Sequence, residues 1–429
     1  MKNEEIKLDI HDKPSGLAWI GLSLQHMFSM FGSTVIVPLL VGLSPSIALF
    51  ASGIGTLLHI LITKGKIPAY MGSSFAFITP MLALMKTTGI AGVQQGVIAV
   101  GVVYLIVAAA VWLIGTNWID HLLPPIVVGP IVIVIGLSLA GAAAQDAMMK
   151  NNHYDLTYFL IALATLFLAI FFNMKLKGFL GMIPVLLAIV VGYLLSMACG
   201  LVDLHAIATA PWFKVPHFEL LGTEKGFHLE WNAILVMAPI AFVTMTEHMG
   251  HLMVLGELTQ RNFFKDPGLN RTLAGDGAAS LAAGLLGGPA VTSYGENIGV
   301  MAITKVYSVY VIIGAALFAM AFAFVNKLNV LIMQMPLPVI GGISFLLFGT
   351  IASSGIKVMI DNHLDLNQKR NLMIASVVLV IGVGNAYLQL GTFQFTGVAL
   401  ATVIGIGLNL ILPRTNAPEA PEETTKTTK

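Results

Sequence analysis

Of the 429 residues of the chain, 57% are hydrophobic and only 10% are charged, and the mean hydropathy is +0.87. Because an ordinary soluble domain carries about a quarter charged residues, this composition excludes a water-soluble fold. The single cysteine, Cys199, excludes an internal disulfide and any multi-cysteine metal site. The composition therefore predicts an all-α polytopic membrane protein, and we expect no cofactor, no metal and no nucleic-acid partner.

Apolar runs of about 20 residues, each long enough to cross about 30 Å of hydrocarbon as a helix, recur along the chain. The first half predicts seven helices, near 17–32, 35–62 (interrupted), 76–86, 91–116, 120–143, 155–173 and 179–199. The second half predicts seven more, near 231–256, 270–287, 296–304, 307–325, 330–352, 372–388 and 394–412.

These runs divide the chain into a first seven-segment repeat over 17–199 and a second over 231–412, joined by an extracytoplasmic connection over 200–230. The N-terminal segment 1–16 lacks the features of a secretory signal, so it is predicted to be retained and cytoplasmic. The tail 413–429 is rich in Pro, Glu, Thr and Lys, which predicts a disordered cytoplasmic segment.

The distribution of positive charge supports this topology. Seventeen Lys and Arg residues fall on the side of the N-terminus, and five fall on the other side: Lys86, Lys150, Lys214, Lys225 and Lys327. Cytoplasmic loops carry such an excess, so both termini are predicted to be cytoplasmic and the protein to lie in the cell inner membrane.

The two halves also resemble each other. Gln25-His26 recurs 222 positions later as Glu247-His248, and the same interval carries 72–75 onto 294–297. A second interval, 213, carries Pro125, Gly129 and Gly136 onto Pro338, Gly342 and Gly349. Because each half has an odd number of spans, the halves enter the membrane from opposite sides, which predicts an inverted repeat.

Two carboxylates fall inside predicted membrane segments, Glu247 and Glu296. A charge at the bilayer centre costs about 2.5 to 3.5 kcal/mol, so such groups usually line a cavity or find a partner. A structural polar pair between two helices is the alternative. Asp276 falls near a predicted helix start, where a cap, an interfacial position and a functional role all remain open.

His251 lies four residues after Glu247, so both side chains project from one helical face and could exchange a proton. The alternative is a hydrogen-bonded spacer between helices. His248 and its counterpart His26 are predicted to pack or to bridge helices rather than to carry protons.

Two segments, 69–80 and 289–300, have the composition of broken helices at membrane depth, because they mix Gly, Pro, Ser and Tyr. Unwound backbone is tolerated there only inside protein or beside a cavity. Each segment precedes a short helix whose first amides would point into the centre, and Phe75 and Gly295 would supply those amides. Simple kinks are the alternative interpretation.

Glu296-Asn297-Ile298-Gly299, followed after four residues by Thr304-Lys305, resembles the signature of the nucleobase/ascorbate transporter family. Gln25-His26 is similar to the first-helix pair of that family, and 65–70, 72–77, 247–252 and 294–304 resemble its bacterial uracil-transporting members. The resemblance covers essentially the whole chain.

This resemblance implies fourteen segments arranged as a core and a gate domain, with short antiparallel strands in the third and tenth segments. It implies uracil and a proton as the transported species, and a homodimer. Substrate-binding roles are implied for the residues Phe75, Glu247, Tyr294, Gly295, Glu296 and Phe348. His251, with Glu247, is implied in proton coupling, and Phe348 stands where relatives carry Tyr, so a polar role there is in doubt.

Several alternatives stay open. The cargo could be thymine, xanthine or uric acid, and the coupling ion could be sodium, although no cluster of hard oxygen ligands suggests it. The protein could also be a passive channel, in which case uptake would never raise the internal concentration of the cargo above equilibrium. An intramembrane metalloenzyme would use Glu247, His248 and His251, but E-H-M-G-H lacks the first His of the H-E-x-x-H pattern.

Overall fold

The computed structural model describes residues 6–221, 228–390 and 393–413. The predicted disordered tail therefore lies outside the described residues except for its first position, as does the middle of the connection between the repeats. Where it is described, the protein is almost entirely helical, as the composition predicts.

The first repeat consists of nine helices and three short strands within the described residues. They are α1 (Gly16–Val41), α2 (Pro45–Ile62), β1 (Met71–Ser73), α3 (Ile78–Thr87), α4 (Gly89–Ile114), α5 (Asn117–Leu122), α6 (Pro125–Leu137), α7 (Ala140–Met148), β2 (Met149–Lys150), β3 (His153–Tyr154), α8 (Leu156–Lys175) and α9 (Pro184–Ala198).

The connection contains α10 (Leu204–Thr209), and the second repeat follows it. Its elements are α11 (Trp231–Thr259), α12 (Leu269–Leu285), β4 (Val291–Ser293), α13 (Gly295–Thr304), α14 (Val309–Ala323), α15 (Asn326–Met333), α16 (Leu337–Asp361), α17 (Lys369–Val383), β5 (Tyr387–Leu390), β6 (Phe393–Thr396) and α18 (Gly397–Ile411).

Seven spans of the described chain are helical, long and apolar enough to cross a membrane, with α6 and α7 forming one of them. Shorter apolar helices, among them α9, α14 and α18, supply further segments. With the two strand-and-helix segments β1–α3 and β4–α13, the described residues form the predicted two sets of seven. The fourteen-segment inverted repeat is confirmed.

The two sets interlock in two bundles. In one bundle, α1 to α4 pack against α11 to α14, with α12 wedged between α2 and α4. In the other bundle, α6 to α9 pack against α16, and α17 packs against α6 and α18. The division matches the core and gate domains that the family resemblance implies, and both bundles contain helices from each half of the sequence.

The predicted strands of the third and tenth segments are present and pair with each other. Strand β1 runs antiparallel to β4 at the centre of the first bundle, with Met71 opposite Ser293. These two residues are separated by the same 222 positions that relate the repeats in the sequence. Because β1 belongs to the first repeat and β4 to the second, the two halves of the sequence cross at this strand pair.

Several predicted helix boundaries are wrong. The first helix does not end at 32 but continues to Val41, and the turn falls at Gly42, which has φ 84° and caps the helix. Gly32 and Ser33 stay helical; Gly32 packs against α9, where a Cβ on it would lie 3.1 Å from Val185, and Ser33 bonds Glu296 of α13. Proline at the first position of α2 then starts the next helix.

In the second half, the predicted helix 330–352 is two helices, α15 and α16, separated by Gln334-Met335-Pro336. The predicted start of the last helix is the hairpin strand β6, which pairs with β5. Apolar runs that contain β-branched and aromatic residues do not by themselves distinguish strand from helix, which explains the error.

The N-terminal segment packs along the end of α13. Leu8 forms a parallel bridge with Val306, and the amide of Tyr307 donates to the carbonyl of Leu8 over 2.8 Å. Asp9 lies 2.6 Å from Arg261 at the end of α11. This short polar segment is therefore ordered by the first bundle rather than by a core of its own.

Candidate substrate site

Both interrupted segments place the start of a short helix at the centre of the first bundle. After β1, a 3-10 turn begins at Phe75 and leads into α3, and after β4, α13 begins at Gly295. The first amides of a helix have no partner within it, and they carry a partial positive charge. The helix starts predicted at Phe75 and Gly295 are present.

The crossing of the two strands depends on a glycine. A Cβ on Gly72 would lie 2.4 Å from the ring of Tyr294, so only glycine permits this approach. Tyr294 is buried, and its hydroxyl donates to the carbonyl of Ser73 over 2.7 Å. The ring therefore fixes one strand against the other immediately before the helix that carries Glu296.

Glu296 occupies the first turn of α13 and is exposed. Its Oε1 accepts a hydrogen bond of 2.8 Å from the hydroxyl of Ser33, which lies in the middle of α1. The helix dipole favours a negative charge at this end of the helix. The carboxylate is thus oriented by two helices while one of its oxygens stays available.

Glu247 projects from the long helix α11, deep in the protein, and yet it is exposed, so it faces an internal space. Helix α11 contacts the 3-10 turn at Phe75, strand β4 and helix α13. The carboxylates of Glu247 and Glu296 are within electrostatic range of each other. The structure therefore places Glu296 at the start of α13, and Glu247 on the helix that packs against both helix starts.

His251 lies beside the start of α13. Its Nδ1 is 3.2 Å from the hydroxyl of Ser293, and a Cβ on Gly295 would lie 3.0 Å from its Nε2. The hydrogen-bond partner of His251 is therefore Ser293 rather than Glu247. Proton exchange between His251 and Glu247 remains a prediction.

Phe348 faces the site from the second bundle. It lies on α16, is 3% exposed, and places its ring 6.5 Å from the ring of Phe75, edge to face at 77°. Aromatic pairs favour this geometry. The contact joins the two bundles directly beside the 3-10 turn.

A cavity of about 470 Å³ opens between the bundles beside Glu296, within the range that small-molecule sites occupy. Helices α1 and α13 form one wall, and α9 and α16 form the other. Its residues are Ser29, Gly32, Ser33, Asn173, Gly181, Met182, Ile183, Pro184, Val185, Leu186, Gly295, Glu296, Gly299, Val300, Ile303, Leu346, Leu347 and Thr350. Of the predicted substrate-binding residues, Gly295 and Glu296 line this wall.

The histidine predicted to bridge helices from α1 does so. The side-chain amide of Asn297 lies 3.1 Å from Nδ1 of His26 and donates to the carbonyl of His26 over 3.1 Å. Both residues are buried. Together with the bond from Ser33 to Glu296, this contact fixes α13 against α1.

Asp276 is not the helix cap or interfacial residue that its position near a predicted helix start suggested. It lies well inside α12 and is fully buried, with His59 and His248 on either side. His59 attracted no attention in the sequence because it is a single ionisable residue in an apolar helix. Only the packing of α2 on α12 brings it to a carboxylate.

The metalloenzyme alternative finds no support in the geometry. His248 faces Asp276 and Ser293, while His251 faces Ser293 and Gly295. Within the part of the chain that the structure describes, no group of three or more His, Cys, Asp or Glu side chains is arranged to hold a metal ion.

An inverted repeat with two half-helix starts, and with Glu296 facing a cavity between the bundles, defines a multi-pass membrane transport protein. The fold is shared with solved transporters. The transmembrane domain of the cyanobacterial bicarbonate transporter BicA superposes with a TM-score of 0.65, at 14% identity over 95% of this chain and 100% of that chain. The murine anion transporter Slc26a9 in the inward-facing state superposes with a TM-score of 0.69, at 10% identity over 93% of this chain and 69% of that chain.

The sequence identifies the family. Residues 17–391 match the model of the permease family Xan_ur_permease, and this chain belongs to that family. It is 51% identical to the uracil permease of Bacillus caldolyticus, over 97% of this chain and 96% of the relative. It is 47% identical to that of Bacillus subtilis strain 168, over 98% of each, and 45% identical to that of Escherichia coli K12, over 94% and 93%. These relatives are named as permeases, which agrees with the prediction of a transporter rather than an enzyme.

Proposed function

We propose that the protein imports uracil together with a proton across the cell inner membrane, with both termini in the cytoplasm. Full-length relatives at 45% to 51% identity that are named uracil permeases support the cargo. The observation that carries the proposal is the position of Glu296 at the start of α13, with Glu247 on the helix that packs against both helix starts, at Phe75 and Gly295.

The polar groups of this site complement uracil. The base presents two N–H donors and two carbonyl acceptors around its edge. In the proposed complex, Glu247 and Glu296 accept from the N–H groups, while the amides of Phe75 and Gly295 donate to the carbonyls. Tyr294 supports this arrangement by holding the strands together, and the ring of Phe348 closes one side of the site with Phe75.

Selectivity follows from the same groups. Cytosine would place an amino donor where a carbonyl is expected and would leave buried groups unpaired, a mismatch that can reach 10⁴ to 10⁵ in discrimination where the site is fully desolvated. Thymine adds only a methyl group, worth about 1 to 3 kcal/mol. Thymine and 5-fluorouracil are therefore the expected competitors.

Uracil is neutral, so its accumulation requires a coupled ion. A proton carried by Glu247 and His251 would be released when the site opens to the cytoplasm. A membrane potential of about 100 mV supplies roughly 2.3 kcal/mol, and one pH unit supplies about 1.4 kcal/mol more. Together they support a ratio of internal to external uracil concentration of between two and three powers of ten.

In the proposed cycle, the first bundle moves against the second to expose the site to each side in turn. The cavity supports this idea, because its two walls belong to different bundles. It lies near Asn173 and Ile303, two residues before Lys175 and Lys305, on the side that the charge distribution assigns to the cytoplasm. The structure then corresponds to an inward-facing state, with Phe75 and Phe348 in contact.

Uptake of radiolabelled uracil into proteoliposomes tests the proposal. We expect accumulation above equilibrium when the outside is acidic, its collapse on addition of a protonophore, and no change when sodium is replaced by choline. Accumulation of xanthine in place of uracil, a requirement for sodium, or uptake that never exceeds equilibrium would each overturn a named part of the proposal.

A further inference from the structure

Three buried ionisable side chains meet in the first bundle, away from the cavity. They are His59 at the end of α2, Asp276 in α12 and His248 in α11, and each is at most 1% exposed. Nδ1 of His59 lies 3.0 Å from Oδ1 of Asp276, and Nδ1 of His248 lies 2.9 Å from Oδ2. Each oxygen of one carboxylate thus faces a different imidazole.

A glycine next to Asp276 allows this contact. A Cβ on Gly275 would lie 2.6 Å from Nδ1 of His59, so the ring reaches Asp276 only because a glycine precedes it. The two rings lie 6.2 Å apart at 68°. Because α2, α11 and α12 each contribute one group, the cluster joins three helices from both repeats.

A buried carboxylate is costly unless a positive charge neutralises it. One protonated imidazole is sufficient, and here either His59 or His248 can hold that proton. A second proton would place a charge on both rings. The cluster can therefore exist in two protonation states that differ by one positive charge.

A hydroxyl connects this cluster to the substrate site. Oγ of Ser293 lies 3.2 Å from Nδ1 of His248 and also 3.2 Å from Nδ1 of His251. His251 in turn lies against Gly295 at the start of α13. A continuous series of polar groups therefore leads from the site to His59, five residues before the exposed Lys64.

We propose that His59, Asp276 and His248 form a proton-binding site outside the substrate site, which exchanges its proton with His251 through Ser293. This inference rests on the proposed proton coupling. Before the transfer, His251 is protonated, His59 holds the proton of the cluster, and Nδ1 of His248 is unprotonated. The Nδ1 proton of His251 then passes to Oγ of Ser293 while the hydroxyl proton of Ser293 passes to Nδ1 of His248, whose new N–H faces Oδ2 of Asp276. One N–H bond breaks and one forms, Ser293 stays neutral, and the positive charge moves to the cluster.

The other titratable groups around Asp276 fit this role. Helix α11 also places Glu247 and His251 within electrostatic range of Asp276, and α4 contributes Tyr104, whose hydroxyl bonds Thr244 over 2.9 Å. Tyrosine is neutral at physiological pH, so Glu247 is the neighbouring acid whose charge can respond to the charge of the cluster. An ionised Glu247 and a positively charged cluster stabilise each other, which links the two sites. On α12 itself, Arg271 lies five residues before Asp276. Within the described residues, however, the ion pairs of Asp276 are with His59 and His248.

The test separates proton-driven accumulation from exchange. His59→Gln, His248→Gln and Ser293→Ala are reconstituted beside the wild-type protein, with Tyr104→Phe as a control for loss of a neighbouring buried hydroxyl. Uracil accumulation under an imposed pH gradient and uracil counterflow without a gradient are measured in the same vesicles. We expect the three variants to lose at least tenfold in accumulation and less than twofold in counterflow, and the control to lose neither.

An equal loss of accumulation and counterflow would show a merely structural role, and unchanged accumulation would show that the cluster carries no proton. Either result overturns the inference. If His59→Gln fails to fold, as thermal unfolding in detergent would reveal, Ser293→Ala carries the test, because it removes the connection and leaves the cluster intact. Failure of the proposed function itself would be visible in the wild-type vesicles, which would then not accumulate uracil in response to the pH gradient.

Discussion

The hydroxyl of Ser33 donates to Oε1 of Glu296 over 2.8 Å, which joins the middle of the first helix to the half-helix of the second repeat. The bond crosses from one half of the sequence to the other at the wall of the cavity. It fixes one oxygen of the carboxylate, which leaves the other for the proposed contact with uracil. Position and charge at the proposed site thus depend on a residue that no motif contains.

Ser33→Ala is expected to weaken uracil binding about tenfold. A hydrogen bond to a charged group contributes about 1.5 kcal/mol, and without it the carboxylate of Glu296 is less well oriented. Binding of radiolabelled uracil to purified protein measures the effect. Ser29→Ala, one turn earlier on the same wall, is the matched control, and equal affinities for all three proteins would contradict the assigned role.

Glu247→Gln and Glu296→Gln are each expected to abolish uracil uptake in proteoliposomes. An amide keeps the shape of the side chain but replaces a charged acceptor with a neutral group that also carries donors, so it opposes the N–H groups of uracil. Glu257→Gln, an exposed carboxylate on the same helix as Glu247, is the control and should transport normally. Wild-type accumulation by either site variant would rule out the proposed binding mode.

His251→Ala is expected to impair uphill transport more than binding. The ring contacts Ser293 and lies against Gly295, so its removal leaves both carboxylates and both helix starts in place but removes the proposed proton carrier. Comparing the uracil dissociation constant with the accumulation ratio measures the difference. The exposed His205→Ala is the control, and a variant that loses affinity and accumulation in parallel would indicate that His251 acts only in binding.

Gly72→Ala is expected to destabilise the protein by about 1 to 3 kcal/mol, because the new methyl group would lie 2.4 Å from the ring of Tyr294. Thermal unfolding in detergent should show a lower midpoint. Gly407→Ala, in α18, has open space around the new Cβ and should leave the midpoint unchanged or raise it. Equal midpoints for the wild-type protein and Gly72→Ala would mean that the strand crossing can relax around a side chain.

Much of the fold could be predicted because a membrane restricts it. Hydrocarbon tolerates few structures other than helices, so apolar length and charge asymmetry were enough to predict the fourteen segments. Unwound backbone at that depth needs a reason, so 69–80 and 289–300 stood out as parts of a site. Helix ends were predicted less well, since Gly32, Ser33 and Pro38 resemble a break in sequence but stay helical in α1.

By itself, the sequence determined the class of protein, the repeat, and the candidate groups Glu247, His251, Glu296 and the helix starts at Phe75 and Gly295. Only the tertiary structure decided which partners these groups have. Ser33 reaches Glu296, Ser293 lies between two histidines, and Asp276 lies between His59 and His248. These contacts join residues up to 263 positions apart, and they exist only because the two repeats interlock, a geometry that no local pattern of apolar and polar residues encodes.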